Sequence, residues 1–203
     1  LEQKALQLQM NPHFIFNVLN GIKALGNTGK IDELNKTISQ FSVLLRSILN
    51  NSRKEEISLQ EEIDYLKNYI ELEQNMSSKL FTFQIHTNLN NIDPEEILIP
   101  SMLIQPFIEN CIKHGIQLNK EGKIDVNFDV IHNFLNCTII DNGIGFNQSK
   151  KENQNHSSIA IKVSKERIEK ISTKNSFLIN EVVEATKIKG TKVWFKIPLK
   201  TDY

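Results

Sequence analysis

Gln9-Met10-Asn11-Pro12-His13-Phe14-Ile15-Phe16-Asn17 is the stretch from which the rest of the chain can be read. Leu1, Ala5, Leu8, Pro12, Ile15, Leu19 and Ile22 recur at alternating spacings of four and three, the stripe of one buried helix face. At about 100° per residue, His13 lies roughly 120° from the centre of that stripe, so its imidazole is expected to reach solvent or a partner. Pro12 deletes a backbone hydrogen bond and crowds the carbonyl of Leu8, which predicts a local bend beside His13. A histidine on a polar helix face is most often a solvated residue. It is also the side chain that is largely neutral, and so nucleophilic, near physiological pH. These residues alone leave both readings open.

The chain has 203 residues, enough for one large domain or two smaller ones with a real core. Lys plus Arg and Asp plus Glu each number 24, a formal net charge of zero. That balance leaves no footprint for nonspecific nucleic-acid binding and no broad basic surface for acidic lipids. Cys111 and Cys137 lie in apolar contexts without metal-ligand spacing and read as free thiols of a reducing compartment. No run approaches the roughly 20 apolar residues needed to span a bilayer, and no signal-peptide pattern is present. Beginning at Leu1 inside a helical stripe, the chain reads as an excised piece with further protein upstream.

The first helix is expected to run to about Leu25, where Gly26-Asn27-Thr28-Gly29 supplies helix-ending and turn residues. A second follows on Leu34, Ile38, Phe41, Leu45 and Ile48. So short a link makes the two antiparallel neighbours, and a two-helix hairpin leaves apolar flanks whose simplest cover is a second copy. A homodimeric four-helix bundle is therefore expected. The polar stretch Asn50 to Glu56 suggests a boundary, dividing residues 1–52 from residues 57–203. Ser58 with Glu61 forms a capping box that opens a helix through Ile63, Leu66, Tyr69, Ile70 and Glu73. Strands are expected around Phe81 to Ile85, Ile124 to Val130, Phe134 to Ile140, Phe177 to Val183 and Val193 to Pro198. Helices are expected from about Pro100 to His114 and from about Ile159 to Ile171. Short links favour antiparallel pairing, and the helices suffice for one face, so this half reads as an α+β two-layer sandwich. The polar segment Asn147 to Ser157 reads as a mobile loop.

Two further constellations carry chemistry. On the helix from Pro100, Glu109 with Lys113 and Asn110 with His114 are each spaced four apart, while Ile104, Phe107, Ile108 and Ile112 face inward. The polar flank combines a potential base, an amide oxygen that suits Mg²⁺ and two groups able to meet phosphate. It is equally the pattern of an ordinary salt-bridged amphipathic helix. Downstream, Thr138 to Phe146 is a strand running into a turn with Gly143 and Gly145. Asp141 at its end can accept from a ligand amine while bare backbone lets a flat ring approach. Asp-Asn-Gly is also an everyday turn sequence.

In this order, the three pieces resemble the LytS/YehU-type sensor histidine kinases, whose catalytic half belongs to the GHKL ATPase superfamily. The resemblance spans essentially the whole chain. Gln9 to Asn17 is similar to that family's phosphoacceptor box, which places the phosphorylated histidine at His13. Phe41 to Arg46 resembles the hydrophobic-Ser-x-Leu-Leu-Arg segment, and Ile57 to Tyr69 the Leu-x-x-Glu-x-x-x-x-x-x-Tyr helix. Pro100 to Gly115 resembles the N box, which implies that Glu109 acts on the attacking group, Asn110 holds Mg²⁺, and Lys113 and His114 reach toward ATP phosphates. Asp141 to Gly145 resembles the first glycine box, whose aspartate reads the adenine amine. Gly190-Thr191 matches the closing Gly-Thr, with Thr191 near the adenine. Together these imply a helical hairpin that dimerises, followed by a GHKL (Bergerat-type) two-layer sandwich.

Two segments depart from the pattern. The second glycine box, usually Gly-x-Gly-Leu-x-Asn-x-x-x-Arg-Leu, reads here Ser158-Ile159-Ala160-Ile161-Lys162-Val163-Ser164-Lys165-Glu166-Arg167-Ile168. Ser158 and Ala160 stand in the phosphate-binding register where glycines let backbone N–H groups approach closely, although Ser158 can instead cap the helix. Asn75-Met76 stands where Arg-Phe is usual. The expectation is ATP- and Mg²⁺-dependent autophosphorylation of His13, then transfer to an aspartate on a response-regulator receiver domain, with residues 51–56 acting as a hinge. It would be the cytoplasmic part of a membrane protein, anchored through an upstream segment. The altered glycine box motivates the alternative, a dimeric signalling scaffold that binds nucleotide or is blind to it. Plain ATP hydrolysis or serine-kinase activity would leave the His13 hairpin without a role.

Overall fold

Gly29, at φ +69°, lies in the left-handed region that glycine occupies without steric cost, and it turns helix α1 (Pro12–Asn27) into helix α2 (Ile31–Asn51). This computed structural model describes residues 12–117, 120–146, 157–173, 175–185 and 187–202, with backbone alone at 12, 13 and 157–160. The two helices pack together and then lean on α3 (Leu59–Met76). The ring of Phe14 lies 4.8 Å from that of Tyr69. Lys36 Nζ meets Glu71 Oε1 at 3.0 Å, and Asn68 Nδ2 donates to the carbonyl of Gln40 at 3.3 Å. Asp32 and Glu33 sit in the first turn of α2, where the helix dipole favours negative charge.

The buried faces of both helices differ from those expected. Helix α1 buries Phe14 and Val18 while Leu19 is 47% exposed, and α2 buries Thr37, Phe41, Leu44 and Ile48 while Ile38 is 43% exposed. The reason is the third helix. Docking on α3 selects a face rotated from the stripe that periodicity suggests, and leaves Phe16, Leu19, Ile38, Val43 and Leu49 each exposed.

Ser58 caps α3 as a complete capping box. Its hydroxyl accepts from Glu61 N, and the Glu61 carboxylate accepts from Ser58 N, both at 3.0 Å. Strand β1 (Glu56–Ser58) pairs antiparallel with β3 (Leu98–Pro100), a small sheet that periodicity does not announce. The main sheet holds β2 (Phe81–Asn88), β4 (Gly122–Ile131), β5 (Phe134–Asp141), β6 (Phe177–Glu184) and β7 (Lys187–Pro198), in the order β2-β4-β5-β7-β6.

Four of these strands, in the order β4-β5-β7-β6, pair antiparallel, but β2 runs parallel to β4, against the expectation of antiparallel links throughout. The chain between them crosses over through α4 (Gln105–Asn110) and its π-helical extension Cys111–Gly115, as parallel pairing requires. That helix begins at Gln105, not Pro100, because Pro100 pairs with Glu56 and Met102 takes φ +58°. One sheet face, carrying Ile124, Val126, Phe128, Leu135, Cys137, Ile139, Val193 and Phe195, is buried under the helices, including α5 (Ser157–Ile171). Phe107 of α4 packs 5.7 Å from Phe177 and 5.9 Å from Phe195. The opposite face alternates to half-buried Asp125, Asn127 and Lys-bearing positions, so the α+β two-layer arrangement is as expected. The loop expected over Asn147 to Ser157 lies outside the described residues but for the helical backbone of Ser157.

Candidate functional site

Asp141 closes β5 with its carboxylate 2% exposed. Its Oδ1 accepts from the backbone N–H of Gly143 at 2.8 Å and of Thr191 at 3.3 Å. Thr191 is its cross-strand partner on β7. The thiol of Cys111 adds a further hydrogen bond. Burial pushes the Asp141 carboxyl above its ordinary range, and these donors offset part of that push. The same charge, after burial, drives the Cys111 thiol well above its ordinary value, so Cys111 is a neutral donor.

Around this carboxylate the chain runs as bare backbone. A Cβ on Gly143 would stand 2.1 Å from the carbonyl oxygen of Gly115, and one on Gly190, at φ +143°, would stand 1.8 Å from that of Asp141. Ile144 N donates to Gly115 O at 3.2 Å, so the glycine turn is stitched to the end of the π turn. Asn142 faces away, its amide bridging Lys123 N and Glu121 O at 2.6 and 3.0 Å. Gly145 adopts φ +88° beside Ile188. A buried acceptor lined by side-chain-free backbone suits a flat, amine-bearing ring.

The second cluster lies on α4 and its extension. Glu109 is held at both oxygens: Gln105 Nε2 donates to Oε1 at 2.7 Å, and Lys113 Nζ donates to Oε2 at 3.1 Å. Beneath it, the hydroxyl groups of Tyr65 and Tyr69 are buried and raised well above the ordinary phenol value, by burial first and by the Glu109 charge second. Asn110 and His114 are half-buried, and His114 makes contacts of its own. The π turn leaves carbonyls unpaired within the helix, and Lys79 Nζ takes two of them, Ile112 O at 2.6 Å and Lys113 O at 2.9 Å.

The structure therefore joins Asp141, Gly143 and Thr191 into one hydrogen-bonded cluster and Glu109 with Lys113 into a second, linked through Cys111 and Gly115. Lys113 is paired with Glu109 here instead of pointing to open solvent. His13 has helical backbone at the start of α1, but its side chain lies outside the described residues, as do those of Ser158 and Ala160. The backbone at Ser158 is already helical, within α5, so it does not precede the helix as a cap would. Gln105, Cys111 and Lys79 were not singled out by sequence. Gln105 carried one signal, its spacing of four from Glu109.

The pieces fit the groups that the resemblance implies. Among the described residues no three His, Cys, Asp or Glu side chains converge. The half-buried amide of Asn110 carries an oxygen of the kind Mg²⁺ takes, one or two from protein with waters and substrate phosphates completing its shell. Also among the described residues, no helix is long and apolar enough to cross a membrane.

The sequence profile of the histidine kinase family matches residues 1–80. The chain is 36% identical over 145 residues to the sensor protein LytS of Staphylococcus epidermidis, covering 71% of this chain and 24% of that protein. It is 34% identical over 155 residues to the sensor histidine kinase/phosphatase LytS of Staphylococcus aureus, covering 73% and 25% respectively. The chain thus spans about a quarter of the length of the curated relatives it matches. Among solved structures, a mycobacterial sensor histidine kinase, MprB, superimposes with a TM-score of 0.52 at 14% identity, over 72% of this chain and 98% of that one. That likeness concerns the fold. With relatives at this identity, the chain belongs to the histidine kinase family, among sensor kinases of the LytS type.

Proposed function

We propose that this chain is the kinase portion of a longer membrane sensor protein, that it autophosphorylates His13 from Mg·ATP as a homodimer, and that it passes the phosphoryl group to an aspartate of a response-regulator receiver domain. The observation that carries the reading is the seating of α1. Phe14, next to His13, packs 4.8 Å from Tyr69, and the Tyr69 hydroxyl feels the charge of Glu109. Tyr69 thus touches the acceptor helix and lies within reach of the charge of the base.

In this reading Asp141 accepts from the adenine amine, with Thr191 beside it, and Gly143 and Gly190 let the backbone close around that carboxylate. Gly145 lets the turn pass. Ser158 and Ala160 open α5 toward the phosphates in place of glycines. Asn110 offers its amide oxygen to Mg²⁺, which supplies charge neutralisation along the triphosphate when bound. Lys113 and His114 offer donors to phosphate oxygens. A neutral His13 nitrogen forms the N–P bond as the bond to the ADP oxygen breaks, and Glu109 takes the imidazole proton. Phosphoryl transfer asks chiefly for alignment and charge neutralisation, which a small swing about residues 51–56 would supply.

The exposed apolar side chains of Phe16 and Leu19 on α1 and of Ile38 and Leu49 on α2 support the dimer, since a second copy would cover them. Size-exclusion chromatography with light scattering should give twice the chain mass. Protein labelled from γ-³²P-ATP should lose label to a purified receiver domain within minutes. A second reading, a scaffold without phosphoryl transfer, is motivated by Ser158 and Ala160. Calorimetry with Mg·ATP separates the two, because a nucleotide-blind scaffold gives no heat.

A further inference from the structure

Two charged residues of the resembled motifs have no part in the chemistry above. Glu62 is the glutamate of the Leu-x-x-Glu helix and Arg167 the arginine of the second glycine box. Glu62 is only 1% exposed and Arg167 is half-buried. A carboxylate at that depth is costly unless something needs it.

What it meets is the start of α4. That helix has six α-helical residues before the π turn, and Ile104 at its N-cap position provides no side-chain cap. A helix this short is not stable by itself, and its first N–H groups need acceptors. Glu62 Oε1 accepts from Ile104 N at 3.1 Å, and its carboxylate also takes the N–H of Gln105. The cap absent from the local sequence is thus delivered from α3. It stands one helical turn before Glu109, and Gln105, whose backbone it fixes, is the residue whose side chain holds Glu109 Oε1.

Arg167 completes the junction. Its guanidinium supplies the positive charge facing Glu62 and donates to the carbonyl of Ser101 at 3.0 Å. Ser101 in turn donates through Oγ to the carbonyl of Asn51 at 2.6 Å, at the last residue of α2. Helices α3, α4 and α5 and the end of the His13 hairpin therefore meet at one buried polar point.

We infer that Glu62 and Arg167 are positioning residues for the kinase: they hang the helix bearing Glu109 and Asn110 at a fixed height against α3 and α5, at the point where the hairpin ends. The catalytic part of this statement rests on the proposed function; the mechanical part does not. The mechanism asks Glu109 and Asn110 to stand in register with a substrate, and a free α4 would not hold them there.

The test compares wild type with Glu62→Ala, Glu62→Gln and Arg167→Met in the full 203-residue chain. Amide hydrogen exchange across residues 104–110 is read together with kcat and KM for ATP in His13 labelling. Glu62→Ala should raise exchange in α4 selectively and lower kcat by roughly a hundredfold, with a smaller change in KM. Glu62→Gln, which keeps an acceptor for Ile104 N, should restore most of both. Arg167→Met should act in the same direction, and combined with Glu62→Ala should add little further loss. If Glu62→Ala does not fold, Glu62→Gln and Arg167→Met carry the comparison. The inference is overturned if α4 exchange stays at the wild-type rate, if it rises only with that of the whole core, or if α4 loosens while kcat holds. A wild-type chain that does not label contradicts the proposed function instead, and the exchange pattern then decides the mechanical inference by itself.

Discussion

Lys113 Nζ stands 3.1 Å from Glu109 Oε2, so the cation expected to meet phosphate already engages the carboxylate expected to take the proton. In the proposed reaction the two duties would compete, and release of Glu109 should accompany capture of phosphate. Lys113→Met keeps the stem and deletes the charge. It should weaken Mg·ATP binding about tenfold, the size of one charge-assisted hydrogen bond, measured by calorimetry. An unchanged Kd with slower labelling would leave Lys113 serving Glu109 alone.

Asp141→Asn keeps an acceptor for Gly143 N and Thr191 N but turns the other oxygen into a donor facing the ligand amine. The fold should persist, with circular dichroism and melting close to wild type. Binding of Mg·ATP should fall by about 2 kcal/mol or more, the cost of a mismatched buried polar pair. Retained ATP affinity in this variant would remove Asp141 from the adenine site.

Gly143→Ala and Gly190→Ala would place a Cβ 2.1 Å and 1.8 Å from backbone carbonyl oxygens that cannot move cheaply. Each should cost about 2 to 3 kcal/mol by urea denaturation. Gly26, whose Cβ would meet nothing within 4 Å, is the control. Gly26→Ala should stabilise slightly, by about 0.5 to 1 kcal/mol. Equal effects at all three positions would refute the close backbone approach.

Burial, opposed by the N–H groups of Ile104 and Gln105 and the charge of Arg167, pushes Glu62 up to about 7 from 4.5. The folded chain then holds a proton that the unfolded chain releases. This contribution to stability is whole below pH 4.5 and is lost as pH rises through about 7. Glu62→Gln cannot ionise and should lack that slope. The difference in urea midpoint between variant and wild type should therefore widen in the variant's favour across this window. A difference constant with pH would mean that Glu62 is not the group responsible.

Some of this was legible in the sequence for local reasons. The Ser58–Glu61 box needs only its own four residues, and β4 alternates because one sheet face is buried. The Asp141 turn is likewise written in a strand followed by glycines. What was not legible depends on partners distant in sequence. The α1 and α2 stripes were rotated because α3, beyond the turn, chooses their inner face. The parallel pairing of β2 with β4 follows from a crossover whose path no strand encodes. Pro100 reads as a helix start until Glu56 pairs with it. Glu62 and Arg167 stood in the sequence only as members of the resembled motifs, since burial of a charge becomes sensible only when its counterparts, an uncapped helix and a carbonyl, are in place.

The central claim, that His13 is the nucleophile and Glu109 its base, is tested most directly by incubating wild type, His13→Gln and Glu109→Gln with γ-³²P-ATP and Mg²⁺ and reading acid-labile, base-stable label. The account predicts label on wild type, none on His13→Gln, and a rate lowered by roughly a hundredfold to ten-thousandfold in Glu109→Gln, the range for loss of a general base. Label that persists undiminished in His13→Gln would contradict it.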